Sequence, residues 1–190
     1  MLDLGCGNGE LLFALRDDGW EGKMLGVDYS AQSVALAKSI GETRDAEEEK
    51  EDEEEQGESA KTPSVSFLEW DLLAGPLSAD DAASPLSFAP SSETLFDIIL
   101  DKGTFDAISL STSSDVHPCE TYRKRLLQLL NPNGGTFLIT SCNWTEPELR
   151  SWFEEDEDKQ LRVVGRVEYP TFTFGGLKGQ TITTLCFRRG

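Results

Sequence analysis

The first ten residues, Met1-Leu2-Asp3-Leu4-Gly5-Cys6-Gly7-Asn8-Gly9-Glu10, constrain this chain more than any other stretch. A short apolar run gives way to glycines at alternate positions and then to a helix-like segment. Glycine here permits a sharp strand-to-helix turn and lets a ligand approach bare backbone. The helix that follows directs unbonded N–H groups into that turn. Such a turn, at the end of a parallel strand, suits a nucleotide-type cofactor.

The spacing narrows the choice. A dinucleotide fold uses G-x-G-x-x-G, with its third glycine three positions after the second. Here Glu10 holds that position, the third glycine comes early at Gly9, and Asp3 stands two residues before Gly5. A dehydrogenase is disfavoured on that ground. The pattern Leu-Asp-x-Gly-x-Gly-x-Gly resembles motif I of the seven-strand (class I) S-adenosylmethionine-dependent methyltransferases. The resemblance implies a Rossmann-like α/β fold, a mostly parallel seven-strand sheet with helices on both faces. It also implies that Asp3, Gly5, Cys6, Gly7 and Gly9 hold the amino-acid half of S-adenosyl-L-methionine. The first strand reads as truncated at its N-terminus.

Length and charge bound the rest. A chain of 190 residues suits a single domain, 1–190, with one core. The net charge of −18 argues against a nucleic-acid backbone, which calls for clustered Lys and Arg, and fits a basic protein partner better. No apolar run approaches the roughly 20 residues of a membrane span, and no secretory signal opens the chain. The four cysteines, Cys6, Cys119, Cys142 and Cys186, show no C-x-x-C pairing, so no metal site is expected. A reducing, cytoplasmic setting and a monomer are the expectation. His117, before a proline in a polar loop, reads as a surface residue and not a catalytic base.

Taken in order, a first helix runs to about Asp17, and Lys23 to Asp28 forms a short strand closing on an acid. That acid lies about 20 residues past the glycine loop, where a ribose-binding carboxylate belongs. Asp28 is therefore assigned to the ribose hydroxyls. Tyr29 either stacks along the adenine or ribose or wedges the turn. Ser30 caps a second helix through Ile40. Residues 42–62 then carry 11 acids against Arg44, Lys50 and Lys61. Such a like-charge block repels itself, and an acidic disordered insertion is expected. Val65 to Asp71 alternates as a strand. Related methyltransferases place an acid near the adenine amino group at that tip, which nominates Asp71, with Leu72 offering an apolar edge. Residues 74–94, rich in Ser, Ala and Pro, read as a long loop.

Phe96 to Asp101 is the fourth strand and leads into Lys102-Gly103-Thr104-Phe105-Asp106-Ala107. A helix from about Thr121 to Leu130 ends at Asn131-Pro132-Asn133-Gly134-Gly135. Thr136 to Ser141 is the fifth strand, and Thr145 with Glu148 has capping-box spacing for a helix through Phe153. Leu161 to Tyr169 and Thr181 to Arg188 form a late antiparallel pair. Between them, Phe172-Thr173-Phe174-Gly175-Gly176 makes an aromatic, glycine-flanked loop.

The run Asp-Lys-Gly-Thr-Phe-Asp-Ala replaces the Asn- or Asp-Pro-Pro-aromatic turn of methyltransferases acting on planar nitrogens. With Ile-Thr-Ser-Cys-Asn-Trp-Thr and Phe-Thr-Phe-Gly-Gly, it resembles the eukaryotic lysine methyltransferases that modify elongation factor 1-alpha. Members of that family carry some tens of residues before motif I, whereas this sequence starts inside its first strand.

The resemblance implies protein-lysine N-methylation. Asp101 and the backbone after it would line the acceptor channel, and Asp101 would also touch the cofactor. Asn143, Trp144 and Phe174 would surround the lysine stem. Replacing Asp101 by Ala is expected to abolish transfer and leave the fold intact. Plainer roles compete: Trp144 as a staple on the next helix, one of Phe172 and Phe174 as core, Lys102 as a surface charge or substrate anchor. A small-molecule methyltransferase, which requires a lid, and a binding protein without turnover are the alternative functions.

Overall fold

Leu2, Leu4, Leu25 and Val27 are almost wholly buried. Continuous apolar runs are what parallel strands covered on both faces require. Here β1 (Leu2–Leu4) runs parallel to β2 (Leu25–Asp28), with Leu4 opposite Val27. On the other edge of β2 lies β3 (Ser66–Glu69), also parallel. Helix α1 (Glu10–Asp17) buries Leu12 and Phe13, and the Phe13 ring meets that of Phe67 at 5.5 Å. This is the first of two compact units, Met1–Phe88 and Ala89–Gly190.

The computed structural model describes residues 1–55, 63–88, 95–111, 117–154, 160–170, 172–174, 177–179 and 182–190, with backbone alone at 48–49, 51–55, 172–174 and 177–179.

Helix α2 (Ala31–Glu55) starts at its expected cap, where the Ser33 amide donates to Ser30 Oγ at 3.2 Å. It does not stop at Ile40. The acidic segment expected to be disordered from residue 42 is helical through Glu55, and 56–62 lie outside the described residues. Two physical reasons favour the extension. Arg44 pairs with Asp17 on α1 and lies over the Phe13 ring, 5.1 Å from its centroid. Beyond it, Glu and Lys are good helix formers, and propagating a helix costs far less than nucleating one. The expected loop at 74–94 contains a short 3-10 turn, Pro85–Phe88, that buries Pro85; residues 89–94 lie outside the described set.

In the second unit β4 (Ile98–Lys102) and β5 (Thr136–Ser141) are parallel, with Ile99 opposite Phe137. The last strand, β9 (Thr183–Arg189), inserts antiparallel between β5 and β6 (Leu161–Val167). The unit's strand order is β4-β5-β9-β6. These four strands and the three of the first unit, flanked by helices, are the seven mostly parallel strands of a Rossmann-like α/β fold. Within the segment read as an aromatic loop, β7 (Phe172–Phe174) pairs antiparallel with β8 (Leu177–Gly179), and residues 175–176 lie outside the described set.

Among the described residues three helices complete this unit: α3 (Thr104–Ser109), α4 (Pro118–Leu129) and α5 (Glu146–Phe153), the last begun by the expected Thr145–Glu148 capping box. Helix α3 is the element that sequence periodicity missed. Phe105, Tyr122, Phe137, Phe153 and Phe187 form an aromatic core, with Phe105–Tyr122 centroids 5.0 Å apart and Phe153–Phe187 5.4 Å. Among the described residues no helix is long and apolar enough to cross a membrane.

Candidate active site

In the first unit the glycine turn hangs from the end of β2. Val27 O accepts from the amides of both Gly5 (2.8 Å) and Cys6 (2.9 Å). Asp28 Oδ2 accepts from Gly7 N at 3.0 Å, and Oδ1 from Ser30 N at 2.9 Å. Each carboxylate oxygen has further lone-pair capacity, so a carboxylate aimed by two amides can still receive two hydroxyls. The Asp28 carbonyl accepts from Trp70 N at 2.8 Å, tying the end of β3 to the same point.

Two glycines of the turn have different duties. Gly9 is at φ +81°, and a Cβ there would stand 2.6 Å from the Phe67 ring. At Gly7, φ +55°, a Cβ would meet nothing within 4 Å, so this is the open face of the turn.

Asp3 is buried in the middle of β1. The Cys6 thiol is buried too, and its pKa is pushed up to about 12, first by burial and then by the charges of Asp3 and Asp28. Its sulfur lies 2.8 Å from where a Cβ on Gly26 would stand, so only the Cys6 backbone faces a ligand.

Of the two roles open to Tyr29, wedging is ruled out, because the side chain is 80% exposed. Asp71 is exposed, with Oδ1 accepting from Leu73 N (2.7 Å) and Ala74 N (3.3 Å). Leu72 is buried, so it offers little of the apolar edge expected of it. Open backbone at Gly7, a pre-aimed acid and an exposed aromatic ring fit an amino-acid-bearing nucleoside.

In the second unit Asp101 is not where a channel-lining acid should be. It is 2% exposed. Its oxygens accept from Thr104 N (3.0 Å), Phe105 N (3.0 Å) and the Tyr122 hydroxyl (2.6 Å). Asp101 therefore caps the start of α3, a task that Gly103 at the helix N-terminus leaves to a neighbour. Burial raises its pKa to about 7 against the lowering effect of these hydrogen bonds, and the nearby Asp106 charge adds to the rise.

Asn143 and Trp144 line a cavity of about 620 Å³ at the end of β5, with Glu146, Arg166, Glu168 and Thr184. Asp101 is not part of its lining. Arg166 spans the two acids, with Nη1 3.3 Å from Glu146 and Nε 2.6 Å from Glu168. Trp144 is half-buried, its ring 5.8 Å from Phe105 and 6.1 Å from Trp152. Its indole nitrogen is buried with no partner among the described residues. The Phe174 side chain lies outside the described residues, and Lys102 is exposed.

Sequence reasoning passed over Asp106 and Ser141, both buried. Asp106 accepts from Ser141 Oγ (2.6 Å) and Cys142 N (2.8 Å). Ser141 Oγ in turn accepts from Asn143 N (3.1 Å) and Trp144 N (2.8 Å). The available signal was a serine at a strand end whose hydroxyl meets the amides two and three residues on. His117 is exposed as expected but is the cap of α4, with Nδ1 accepting from Cys119 N at 3.3 Å. No metal-binding cluster occurs among the described residues.

Comparison with known proteins gives the same picture. A family profile described as a methyltransferase domain matches residues 1–66. Protein-lysine N-methyltransferase EFM4 of Saccharomyces cerevisiae is 34% identical over 98% of this chain and 69% of its own length. EEF1A lysine methyltransferase 2 of Homo sapiens is 33% identical over 100% of this chain and 65% of its own. This chain thus spans about two thirds of each relative. Among solved structures, a TehB-like S-adenosylmethionine-dependent methyltransferase from Corynebacterium glutamicum superposes with a TM-score of 0.57 at 18% identity, over 100% of this chain and 79% of that one.

Proposed function

The chain belongs to the protein-lysine N-methyltransferase family that includes EFM4 and EEF1A lysine methyltransferase 2, and we propose that it methylates a lysine of elongation factor 1-alpha. It is an S-adenosylmethionine-dependent methyltransferase; the proposal takes residues 1–190 as one methyltransferase domain. The finer reading covers a cytoplasmic, monomeric enzyme that binds neither nucleic acid nor membrane.

When bound, S-adenosyl-L-methionine supplies a methyl group activated on a sulfonium. Asp28 would take the ribose hydroxyls, and the Gly5–Gly9 turn with Asp3 would hold the amino-acid end. Asp71 and Tyr29 would flank the base. The enzyme must also receive a lysine and let it lose a proton, because a free lysine ammonium has a pKa near 10.4.

The observation that carries the acceptor assignment is the cavity at the end of β5. It offers Trp144 as an aromatic wall for a methylammonium and Asn143 as a neutral hydrogen-bonding group. Phe174 remains assigned to the lysine stem.

Incubation with S-adenosyl-L-methionine and purified elongation factor 1-alpha, followed by intact-mass measurement, tests the reading. Methyl increments on the factor are expected. An unmodified factor after exhaustive incubation with folded, cofactor-binding chain would rule the substrate out.

A further inference from the structure

We propose that Asp106 is the positioning residue of the acceptor site: through Ser141 it fixes Cys142, Asn143 and Trp144 in the wall that receives the lysine. The proposal rests on the reading of Asn143 and Trp144 given above.

The hydrogen-bond count forces the polarity of the network. A serine hydroxyl has one proton and two acceptor lone pairs. Ser141 Oγ accepts from the amides of both Asn143 and Trp144, so its proton must leave in another direction. It goes to Asp106 Oδ1, 2.6 Å away. Asp106 Oδ2 takes the Cys142 amide at 2.8 Å. Three consecutive backbone amides are thus referred to one carboxylate, directly or through one hydroxyl. Ser141 is 1% and Asp106 8% exposed, so water cannot readily replace a lost acceptor.

The residue before Asp106 grips the same loop by apolar contact. The Phe105 ring lies 5.8 Å from that of Trp144, so neighbouring positions on α3 hold the loop through a polar and an aromatic arm. What they hold is a cavity-lining tryptophan whose indole N–H is buried and has no partner among the described residues.

The test uses the full chain with Asp106→Asn, Ser141→Ala and the double substitution. Asparagine has one acceptor oxygen where two are used and turns an N–H₂ toward a donor. Hydrogen exchange at the amides of Asn143 and Trp144 should accelerate by roughly tenfold or more in every variant, and at Cys142 in those carrying Asp106→Asn. Calorimetric affinity for S-adenosyl-L-methionine should stay within about twofold, while kcat/KM for elongation factor 1-alpha falls roughly ten- to a hundredfold. The double variant should lose little more than either single one, because both break the same chain of contacts.

Unchanged exchange at the three amides overturns the proposal. So does a loss of kcat/KM no larger than the loss of cofactor binding and thermal stability, or single effects that simply add. If wild-type chain modifies no elongation factor, the substrate reading fails separately, and the exchange measurement still decides whether Asp106 holds the loop.

Discussion

The Gly7 amide donates to Asp28 Oδ2 at 3.0 Å, so the side chain assigned to the ribose also shapes the turn one strand away. Cofactor binding and loop geometry share one carboxylate. Asp28→Asn keeps an acceptor for only one of Gly7 N and Ser30 N and offers a donor to the other. Affinity for S-adenosyl-L-methionine is expected to fall by roughly tenfold or more, with a lowered melting temperature. Titration calorimetry with a melting curve checks this, and wild-type affinity in the variant would remove Asp28 from the site.

Gly7 and Gly9 should fail in different ways. Gly9→Ala drives a Cβ into the Phe67 ring at a left-handed backbone position, so stability should drop on the order of 2 kcal/mol. Gly7→Ala meets no protein atom within 4 Å and should cost only about 1 kcal/mol through its φ of +55°, while its methyl occupies the open face where the cofactor is assigned. Urea unfolding and calorimetry together separate the two. Equal stability losses with equal cofactor affinities would contradict the assignment of that face.

Asp101 gives the fold a pH dependence of known sign. Burial lifts its pKa from 3.8 to about 7. Between those values the folded chain keeps a proton that the unfolded chain has released, so stability declines as pH rises through the window and levels off above it. The urea midpoint should therefore fall from pH 5 to pH 8, beyond the range of ordinary carboxylates, and Asp101→Asn should flatten that slope. A midpoint constant over the range would contradict the burial argument. Asp101→Ala will not leave the fold intact, because it removes the acceptor shared by Thr104, Phe105 and Tyr122 inside the core.

Thiol chemistry offers an independent check on the glycine turn. Cys6 and Cys119 are buried, and burial pushes their thiols up to about 12 and about 11; Cys142 is exposed. Brief treatment of the folded chain with N-ethylmaleimide at pH 8, read by peptide mass spectrometry, should label Cys142 first and spare Cys6 and Cys119. Early labelling of Cys6 would mean that the turn is open behind its backbone as well as in front.

Strand ends were the legible part of this sequence. Apolar runs closing on Asp28 and Asp101 mark β2 and β4, because period and charge change together there. Helix α3 was not legible, for six residues give no helical period and its cap, Asp101, stands before the glycine that starts it. The length of α2 was hidden by its charge, since Arg44 reaches Asp17 and Phe13 on an element far away in sequence. Asp101 drew the catalytic assignment by motif position, while the acid that touches the Asn143–Trp144 loop through Ser141 is Asp106, five residues on. Spacing placed both acids on the chain; only the fold shows which way each faces.

The most direct test of the central claim is transfer of labelled methyl from S-adenosyl-L-methionine to purified elongation factor 1-alpha by the wild-type chain. The factor's lysines are then replaced singly by arginine. Label should enter the factor and vanish with one particular lysine. Label that never enters the factor, with the chain folded and binding its cofactor, would contradict the proposed activity.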